Sequence, residues 1–358
     1  MRRIGTQYLR PGMQLAQPIS SSDGRIFLTK GQLLRDSYIQ RLRQQGVLSV
    51  YVVDPRFPDL EVEDFLHEET RLQAIKTIRV ATANLISGRV ADIPAIKDIV
   101  EMLINDLRAT PRLMINVLDI RTHDDYTFAH SVNVSSFSIL VGLSIGLNSL
   151  ALQEMGVGAL MHDLGKILIP HEVLNKPGKL SDEEYDKVKL HAFDGFNILR
   201  HQGIGLLSSH IALQHHERVD GSGYPRGLVG ENIHPYARIV AVADVYDNMT
   251  SDRIYRPRFL PHDAAEWLVA QGGKLFDRDV VRMFLQRVAF YPIGTLVKLS
   301  TGMIGVVVDI NQPMTTRPIV RVLYETDGQP AEMQHEFDLV KHPELSIIEV
   351  VNDETGLV

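Results

Sequence analysis

Histidine is concentrated in the middle of this chain. Ten of its 14 histidines lie between residues 123 and 234, and the chain contains no cysteine. The lack of cysteine excludes disulfides, thiolate metal sites and cysteine nucleophiles. Nitrogen and oxygen donors without sulfur favour a borderline or hard cation such as Fe, Mn, Zn or Mg. Metal binding is therefore the first chemistry that the sequence predicts.

Two short motifs supply the most specific donor groups. His162-Asp163 stands near the end of a helical pattern, where the carboxylate can bridge two cations while the imidazole binds one of them. His215-His216 stands beside Glu217, and buried imidazoles need a partner for each ring nitrogen, which a metal ion with a neighbouring carboxylate supplies. Three further candidates complete the set: His130, His191 and Asp244. The position of Asp244 after an apolar run is equally compatible with a buried helix cap.

The segment that follows His215-His216 is predicted to form one wall of a pocket. Gly221-Ser-Gly-Tyr-Pro225 cannot easily continue a helix, so we expect a tight loop directly beside His215-His216. Two cations that share a carboxylate and a water suit attack on phosphorus, because the water ionises near neutral pH and the metals hold the phosphoryl oxygens. The donor set is thus compatible with hydrolysis of a phosphate ester.

These donor groups need a scaffold, and the chain divides into four segments. Residues 1–58 mix strand-like runs with one helical run and predict a small α/β module. Residues 59–114 predict connecting helices, and residues 115–290 are helical in pattern throughout. Residues 291–358 change to the pattern of strands. The predicted fold is mainly α, with an all-α core between a small α/β N-terminal module and a small β-rich C-terminal module.

The longest uncharged stretch, from His130 to Gln153, is predicted to form a buried helix of the core. It is long enough to cross a bilayer, but Asn133, Asn148 and five serines between Ser131 and Ser144 make it too polar for a lipid-facing surface. No apolar run follows the charges at the N-terminus, so a signal peptide is not expected. The sequence therefore predicts no membrane insertion and a cytoplasmic location.

The overall charge restricts the class of partner. The chain has 37 basic and 44 acidic residues, which gives a net charge of −7. A protein that binds long nucleic acid normally has a basic surplus. No long nucleic acid is expected as a partner.

The motifs together resemble the HD-GYP phosphodiesterases of the HD superfamily. The resemblance covers about residues 115–290 and is carried by the segments Asp124–Asn133, His162–Lys166, His191, His215–Pro225 and Asp244–Arg256. It implies an all-α HD-type core with a metal-bridged centre. It also implies hydrolysis of the phosphodiester bonds of cyclic di-GMP, to the linear dinucleotide or to GMP, by a hydroxide that bridges the metals.

The resemblance also implies a role for individual residues. The implied metal ligands are His130, His162, Asp163, His191, His215, His216 and Asp244. Asp163 would be the bridging carboxylate, and Lys166 and Asp124 would orient the bridging water or protonate the leaving oxygen. The implied substrate-binding residues are Arg253 and Arg256 at the phosphate and Gly223, Tyr224 and Pro225 in the loop near the substrate.

One departure from the family concerns the number of metal ions. Some members have a Glu four residues before the first histidine, which supplies a ligand for a third metal, whereas this chain has Tyr126 there. We therefore expect two divalent ions per chain, with Fe or Mn favoured and other divalent metals open. The remaining histidines of the central cluster are expected to be bystanders: His123, His171, His201, His210 and His234.

Two alternatives to an active phosphodiesterase stay open. One is a catalytically weak receptor or scaffold that binds a cyclic dinucleotide and signals through its flanking modules. The other is an HD-type hydrolase of a mononucleotide or of a different cyclic dinucleotide. The enzyme is favoured because every ligand position, Lys166, Arg253 and the Gly-Tyr-Pro loop are filled. Beyond cyclic di-GMP, the helices predicted over 61–87 and 93–109 offer a surface for a homodimer, and the terminal modules offer surfaces for protein partners.

Overall fold

The computed structural model describes residues 1–20, 26–45, 47, 49–60, 66–109, 126–174, 176, 178–251, 259–312, 314–331 and 335–351. Within these residues there are eleven α-helices and nine β-strands. The helices are α1 (Asp36–Gln44), α2 (Glu68–Ile86), α3 (Ile93–Ala109), α4 (Tyr126–Ser144), α5 (Ser149–Leu160), α6 (His171–Leu174), α7 (Asp182–His201), α8 (Leu206–Gln214), α9 (Pro235–Thr250), α10 (Pro261–Gln271) and α11 (Arg278–Leu285). The strands are β1 (Arg2–Gly5), β2 (Ile19–Ser20), β3 (Ile26–Leu28), β4 (Ser49–Val52), β5 (Leu296–Leu299), β6 (Ile304–Asp309), β7 (Ile319–Tyr324), β8 (Glu336–Asp338) and β9 (Ile347–Val350).

Helix α4 lies at the centre of the helical core. It contacts α2, α3, α5, α9 and α11, and these helices share one cluster of buried apolar side chains. Three buried serines on α4 donate hydrogen bonds to backbone carbonyls, from Ser135 to Gly156, from Ser136 to Val132 and from Ser138 to Val134. A polar helix can therefore be buried because its hydroxyls are satisfied.

The uncharged stretch forms two helices, so the prediction of one helix from His130 to Gln153 is wrong. Helix α4 ends at Ser144 and α5 begins at Ser149. Between them Gly146 has a φ of 76°, a conformation that glycine adopts readily. The side chain of Asn148 then caps α5 by accepting a hydrogen bond from the backbone N–H of Ala151. Helix α4 also begins before His130, which places that histidine in its second turn.

The connecting helices agree with the sequence in type but not in every boundary. Helix α3 matches the run predicted over 93–109. Helix α2 begins at Glu68, seven residues later than predicted, since His67 has extended backbone angles (φ −61°, ψ 137°); residues 61–65 lie outside the described part of the chain. Both helices bury one apolar face in the helical core. None of the helices in the described part of the chain is long and apolar enough to cross a membrane.

The terminal segments form small sheets. Near the N-terminus, β1 pairs with β4 and β2 pairs with β3, both antiparallel. Near the C-terminus, five antiparallel strands form a sheet in the order β8-β7-β6-β5-β9. The predicted fold class, a helical core with a small α/β module before it and a small β-rich module after it, is confirmed. Strands β1, β2, β8 and β9, of two to four residues, were not identified from the sequence pattern.

The two terminal modules contact each other. Phe57 and Leu60, which follow the N-terminal strands, pack against buried residues of the C-terminal sheet: Leu296, Val306 and Leu323. The guanidinium of Arg321 donates hydrogen bonds to both carboxylate oxygens of Asp59, at 2.9 and 2.7 Å. The first and last segments of the chain therefore meet on one side of the helical core, although the exact domain boundaries stay a prediction.

Candidate metal centre

The seven side chains predicted to bind metal converge on one buried point. They come from α4 (His130), the turn after α5 (His162 and Asp163), α7 (His191), the end of α8 (His215 and His216) and α9 (Asp244). Six of them are buried, and His216 is partly buried. Their ligand atoms form two groups that share Asp163, one with His191, His215 and His216 and the other with His130 and His162.

The two oxygens of Asp163 face different histidines. Oδ1 lies 3.4 Å from Nε2 of His191 and 3.8 Å from Nε2 of His215. Oδ2 lies 3.4 Å from Nε2 of His162 and 3.9 Å from Nε2 of His130. This is the arrangement expected of a carboxylate that bridges two ions.

Backbone carbonyls fix the orientation of three of the imidazoles. The Nδ1–H of His162 donates to the carbonyl of Ala159 at 2.7 Å. His191 and His215 donate in the same way to the carbonyls three residues before them, at 2.6 and 2.8 Å. Because a carbonyl only accepts, Nδ1 carries the proton in each ring and Nε2 presents its lone pair to the centre.

His130 is oriented by side chains instead. Its Nδ1 lies 2.6 Å from Oδ2 of Asp247, and Oδ1 of Asp247 accepts a hydrogen bond from the amide of Asn133 at 2.9 Å. Its Nε2 points to the centre, 3.1 Å from Oδ1 of Asp244. Asp244 in turn accepts a hydrogen bond from Asn248 on the next turn of α9, at 2.7 Å.

The electrostatics of the site favour the metal-binding protonation state of Asp163 and of three of the imidazoles. Burial lowers the pKa of His191, His215 and His216, which keeps these imidazoles neutral. Burial opposes ionisation of Asp163, but the charge of Lys166 and the interactions with His162 and His191 together outweigh it and hold the pKa of the carboxyl well below its usual range. Burial also lowers the pKa of His130, but hydrogen bonds to Asp244 and Asp247 outweigh it and raise that pKa to about 9.

The residues fit a pair of divalent ions. Two ligand atoms bound about 2.1 Å from one tetrahedral ion are about 3.4 Å apart, which is close to the separations between the donor atoms here. Nε2 of His191 and Nε2 of His215, both carrying lone pairs, face each other at 3.3 Å. Among the described residues, neither Nε2 of His162 nor Oδ1 of Asp163 makes a hydrogen bond, although both atoms are buried. A cation between these donors would satisfy them.

The predicted loop lies against the centre. The N–H of Tyr224 donates to the carbonyl of His216 at 3.2 Å, and the two rings are in tilted contact, with centroids 4.6 Å apart and planes 31° apart. Gly223 permits this approach, because a Cβ there would overlap the backbone of Arg218. Pro225 is exposed. Lys166 also lies beside the centre, and its ammonium donates to Oδ2 of Asp163 at 2.5 Å.

Three of the predicted site residues, Asp124, Arg253 and Arg256, lie outside the described part of the chain. So does His123, and the other predicted bystanders are away from the donor atoms. His171 is an exposed residue that begins α6. His201 is exposed at the end of α7, His210 lies beside the ring of Phe196, and His234 caps α9.

Sequence reasoning missed the residues that support the ligands. Asp247 stands one helical turn after Asp244, and Asn133 stands three residues after His130, so helical spacing was the available signal. Glu217 was interpreted as the carboxylate behind the His215-His216 pair. Its oxygens instead accept hydrogen bonds from the backbone of Arg226 and Leu228, at 2.8 and 2.9 Å, and so hold the loop in place.

Comparisons with known proteins give two family matches. The model of the HD domain matches residues 112–280, and the model of a KOW domain associated with the HD domain matches residues 296–356. The first match contains all of the donor residues described above. The second covers the five-stranded sheet.

Three curated proteins are similar to this chain in sequence. A cyclic di-GMP phosphodiesterase of Pseudomonas aeruginosa is 32% identical, over 95% of this chain and 89% of the relative. A cyclic di-GMP phosphodiesterase response regulator of Xanthomonas campestris is 43% identical, over 47% of this chain and 45% of the relative. A 3′3′-cGAMP-specific phosphodiesterase of Vibrio cholerae is 37% identical, over 43% of this chain and 35% of the relative. This chain therefore spans most of the Pseudomonas protein and less than half of the other two.

Proposed function

Because this chain belongs to the HD-GYP family of HD-domain phosphodiesterases, we propose that it hydrolyses cyclic di-GMP with the help of two divalent metal ions. The product would be the linear dinucleotide, GMP, or both in succession. The proposed metals are Fe or Mn, and the nitrogen and oxygen donors are compatible with these as well as with other divalent ions such as Zn and Mg.

The position of Asp163 is the observation that carries this proposal. Its two oxygens face two separate sets of imidazole nitrogens, at 3.4 to 3.9 Å. A carboxylate that serves only to balance the charge of Lys166 does not require imidazole nitrogens beside both of its oxygens. Family membership and this division of the carboxylate support the same function independently.

The bound ions would lower the pKa of a water molecule and hold the phosphoryl oxygens of the substrate. The chain supplies the remaining functions. The ions would be held by the seven ligand side chains: His130, His162, Asp163, His191, His215, His216 and Asp244. The ammonium of Lys166 lies beside Asp163 and is partly exposed, with 28% of its side chain accessible, so it can orient the attacking water or give a proton to the leaving oxygen.

Recognition of the dinucleotide is assigned to the loop and to two arginines. The ring of Tyr224 covers His216 at the edge of the centre and, together with Gly223 and Pro225, forms one wall beside the substrate. Arg253 and Arg256 are proposed to hold substrate phosphates, and Asp124 to assist Lys166, on the strength of their positions in the family motifs.

A substrate panel tests the proposal. Protein loaded with Mn or Fe is incubated with cyclic di-GMP, 3′3′-cGAMP and a mononucleotide, and the products are separated by chromatography. We expect turnover of cyclic di-GMP to exceed that of the mononucleotide, and turnover to stop when a chelator removes the metal. Binding of cyclic di-GMP without turnover under any metal would contradict the proposal and favour a receptor.

The panel also decides between cyclic dinucleotides. One relative carries a cGAMP-specific name, and the loop residues do not distinguish two guanine bases from one guanine and one adenine. Comparison of kcat/KM for cyclic di-GMP and 3′3′-cGAMP measures this preference directly.

A further inference from the structure

A buried chain of hydrogen bonds connects helix α2 to the metal centre. Arg71 on α2 donates from its guanidinium to Oδ1 of Asn133, at 3.1 Å. The amide of Asn133 donates to Asp247 at 2.9 Å, and Asp247 holds Nδ1 of His130 at 2.6 Å. All four side chains are at most 4% exposed.

The chemistry of the four groups permits only one direction of donation. A guanidinium can only donate, and an ionised carboxylate can only accept. Asn133 therefore turns its carbonyl to Arg71 and its NH2 group to Asp247. Asp247 then accepts the Nδ1–H of His130, so that Nε2 is the ring nitrogen directed at the centre. Without Arg71, the amide of Asn133 would lose one of the contacts that select this orientation.

The source of this contact lies outside the catalytic fold. The HD-domain match covers residues 112–280, whereas Arg71 belongs to the connecting helices that precede it. Helix α2 contacts α4, the helix that carries both Asn133 and His130. Arg71 also lies 3.8 Å from the exposed carboxylate of Glu68, one turn earlier on α2.

We propose that Arg71 is a positioning residue for the metal centre: through Asn133 and Asp247 it fixes the tautomer and orientation of His130, so that helix α2 sets the affinity for the ion that His130 binds. His162, His191 and His215 depend instead on backbone carbonyls of their own helices and turns. The effect of Arg71 is therefore confined to one of the two ions. This inference rests on the metal-binding part of the proposed function.

A metal titration of the full-length chain tests the inference. Mn²⁺ binding is followed by calorimetry for the parent and for Arg71→Met, which keeps the apolar stem and removes every donor. The variants His130→Gln and His191→Gln mark which step of the titration belongs to which ion. We expect Arg71→Met to weaken the ion at His130 by about 10–100-fold and to leave the other ion unchanged.

The same helix offers a matched control. Arg79 lies two turns after Arg71, with its guanidinium 5.8 Å from the ring centroid of Phe128. Arg79→Met removes the same groups from the same helix and is expected to leave both binding steps unchanged. An equal effect of the two substitutions would overturn the inference, because the loss would then belong to α2 as a whole.

A double-mutant cycle separates positioning from general packing. If Arg71 acts through Asn133, the losses in Arg71→Met and Asn133→Leu will not add in the double variant. Additive losses would overturn the inference. Where Arg71→Met does not fold, Arg71→Lys gives the same test. A selective loss of at least about threefold in affinity at the His130 ion supports the inference; this is on the lower side of the range for residues that support metal ligands. The absence of a selective loss contradicts the inference.

The outcome also separates this inference from the proposed function. A parent protein that binds no metal contradicts the proposed function itself. If the parent and the Arg71→Met variant bind two ions with equal affinity, the result contradicts the inference alone.

Discussion

At the scale of single residues, the centre depends on which nitrogen of each histidine carries the proton. His162, His191 and His215 each donate Nδ1–H to the carbonyl three residues earlier, so their Nε2 lone pairs converge. Such a cluster of lone pairs in a buried site is unfavourable by itself. The geometry becomes favourable when cations lie between the imidazoles and Asp163.

The first prediction concerns Asp163. Asp163→Asn keeps the shape of the side chain but removes its negative charge, and an amide NH2 group cannot bind a cation. We expect loss of the paired ions and of phosphodiester hydrolysis, measured by metal content per chain and by turnover. Asp186→Asn is the control, because Asp186 is a 70% exposed partner of Lys189. Parent-like turnover in Asp163→Asn would show that the site has been assigned wrongly.

At the scale of elements, local motifs could be predicted from the sequence, but the helix break and the tertiary contacts that position the ligands could not. The ligand types, the loop at Gly221–Pro225 and the capping box of α7 at Ser181 all follow from short-range patterns. The break between α4 and α5 depends on a single left-handed glycine within an apolar run, which periodicity does not detect. The role of Asp247 depends on α9 lying beside α4, a tertiary contact that one sequence does not encode locally.

A close approach of two elements gives the second prediction. Gly165 stands in the 3-10 turn after Asp163, and a Cβ there would overlap the backbone oxygen of His191 and the backbone nitrogen of Gly195. Gly165→Ala must push the turn away from α7, which separates Asp163 from His191. We expect a loss of about 1–3 kcal/mol in the free energy of unfolding, together with weaker metal binding, measured by urea denaturation and metal titration.

Gly205→Ala is the control for this prediction. Its Cβ would meet only the side chain of Glu154, at 3.8 Å, and its φ of −53° is open to alanine. We expect a loss below about 1 kcal/mol, from the weaker helix cap alone, with metal binding unchanged. If both variants bound metal like the parent, the packing of the turn on α7 would not position the ligands.

At the scale of the whole molecule, the net charge of −7 does not describe the site. Two divalent ions and Lys166 would set the local sign, so a small dianionic ligand is compatible with an acidic protein. The terminal modules contribute no ligand to the centre among the described residues. Their contact through Phe57, Leu60 and Arg321 instead joins the two ends of the chain.

The third prediction tests that contact. Phe57 is 1% exposed and packs on Leu296, Val306 and Leu323. Phe57→Ala is expected to cost about 3–5 kcal/mol in the stability of the two terminal modules. We expect this loss to appear as faster hydrogen exchange in β5–β7, while the metal content stays at the parental value. Phe193→Ala, at a 51% exposed position on α7, serves as the control and should change stability by less than about 0.5 kcal/mol. Unchanged exchange in Phe57→Ala would mean that the two modules are not coupled.

Metal removal gives the fourth prediction. An ion that binds only the folded chain stabilises it by about 2.7 kcal/mol at a concentration 100 times its dissociation constant. We therefore expect the Tm to fall when a chelator removes the metal and to recover when Mn²⁺ is added back. The same cycle applied to Asp163→Asn should produce little recovery. A Tm that does not respond to metal in the parent would contradict a buried two-ion site.

The central claim is that water attacks a phosphodiester bond of a cyclic dinucleotide at this centre. The most direct measurement incubates metal-loaded protein with cyclic di-GMP in water enriched in oxygen-18 and determines the mass of the products. The account predicts a linear dinucleotide, or GMP, with one heavy oxygen incorporated for each bond cleaved. Recovery of intact, unlabelled cyclic di-GMP after saturating binding would contradict it.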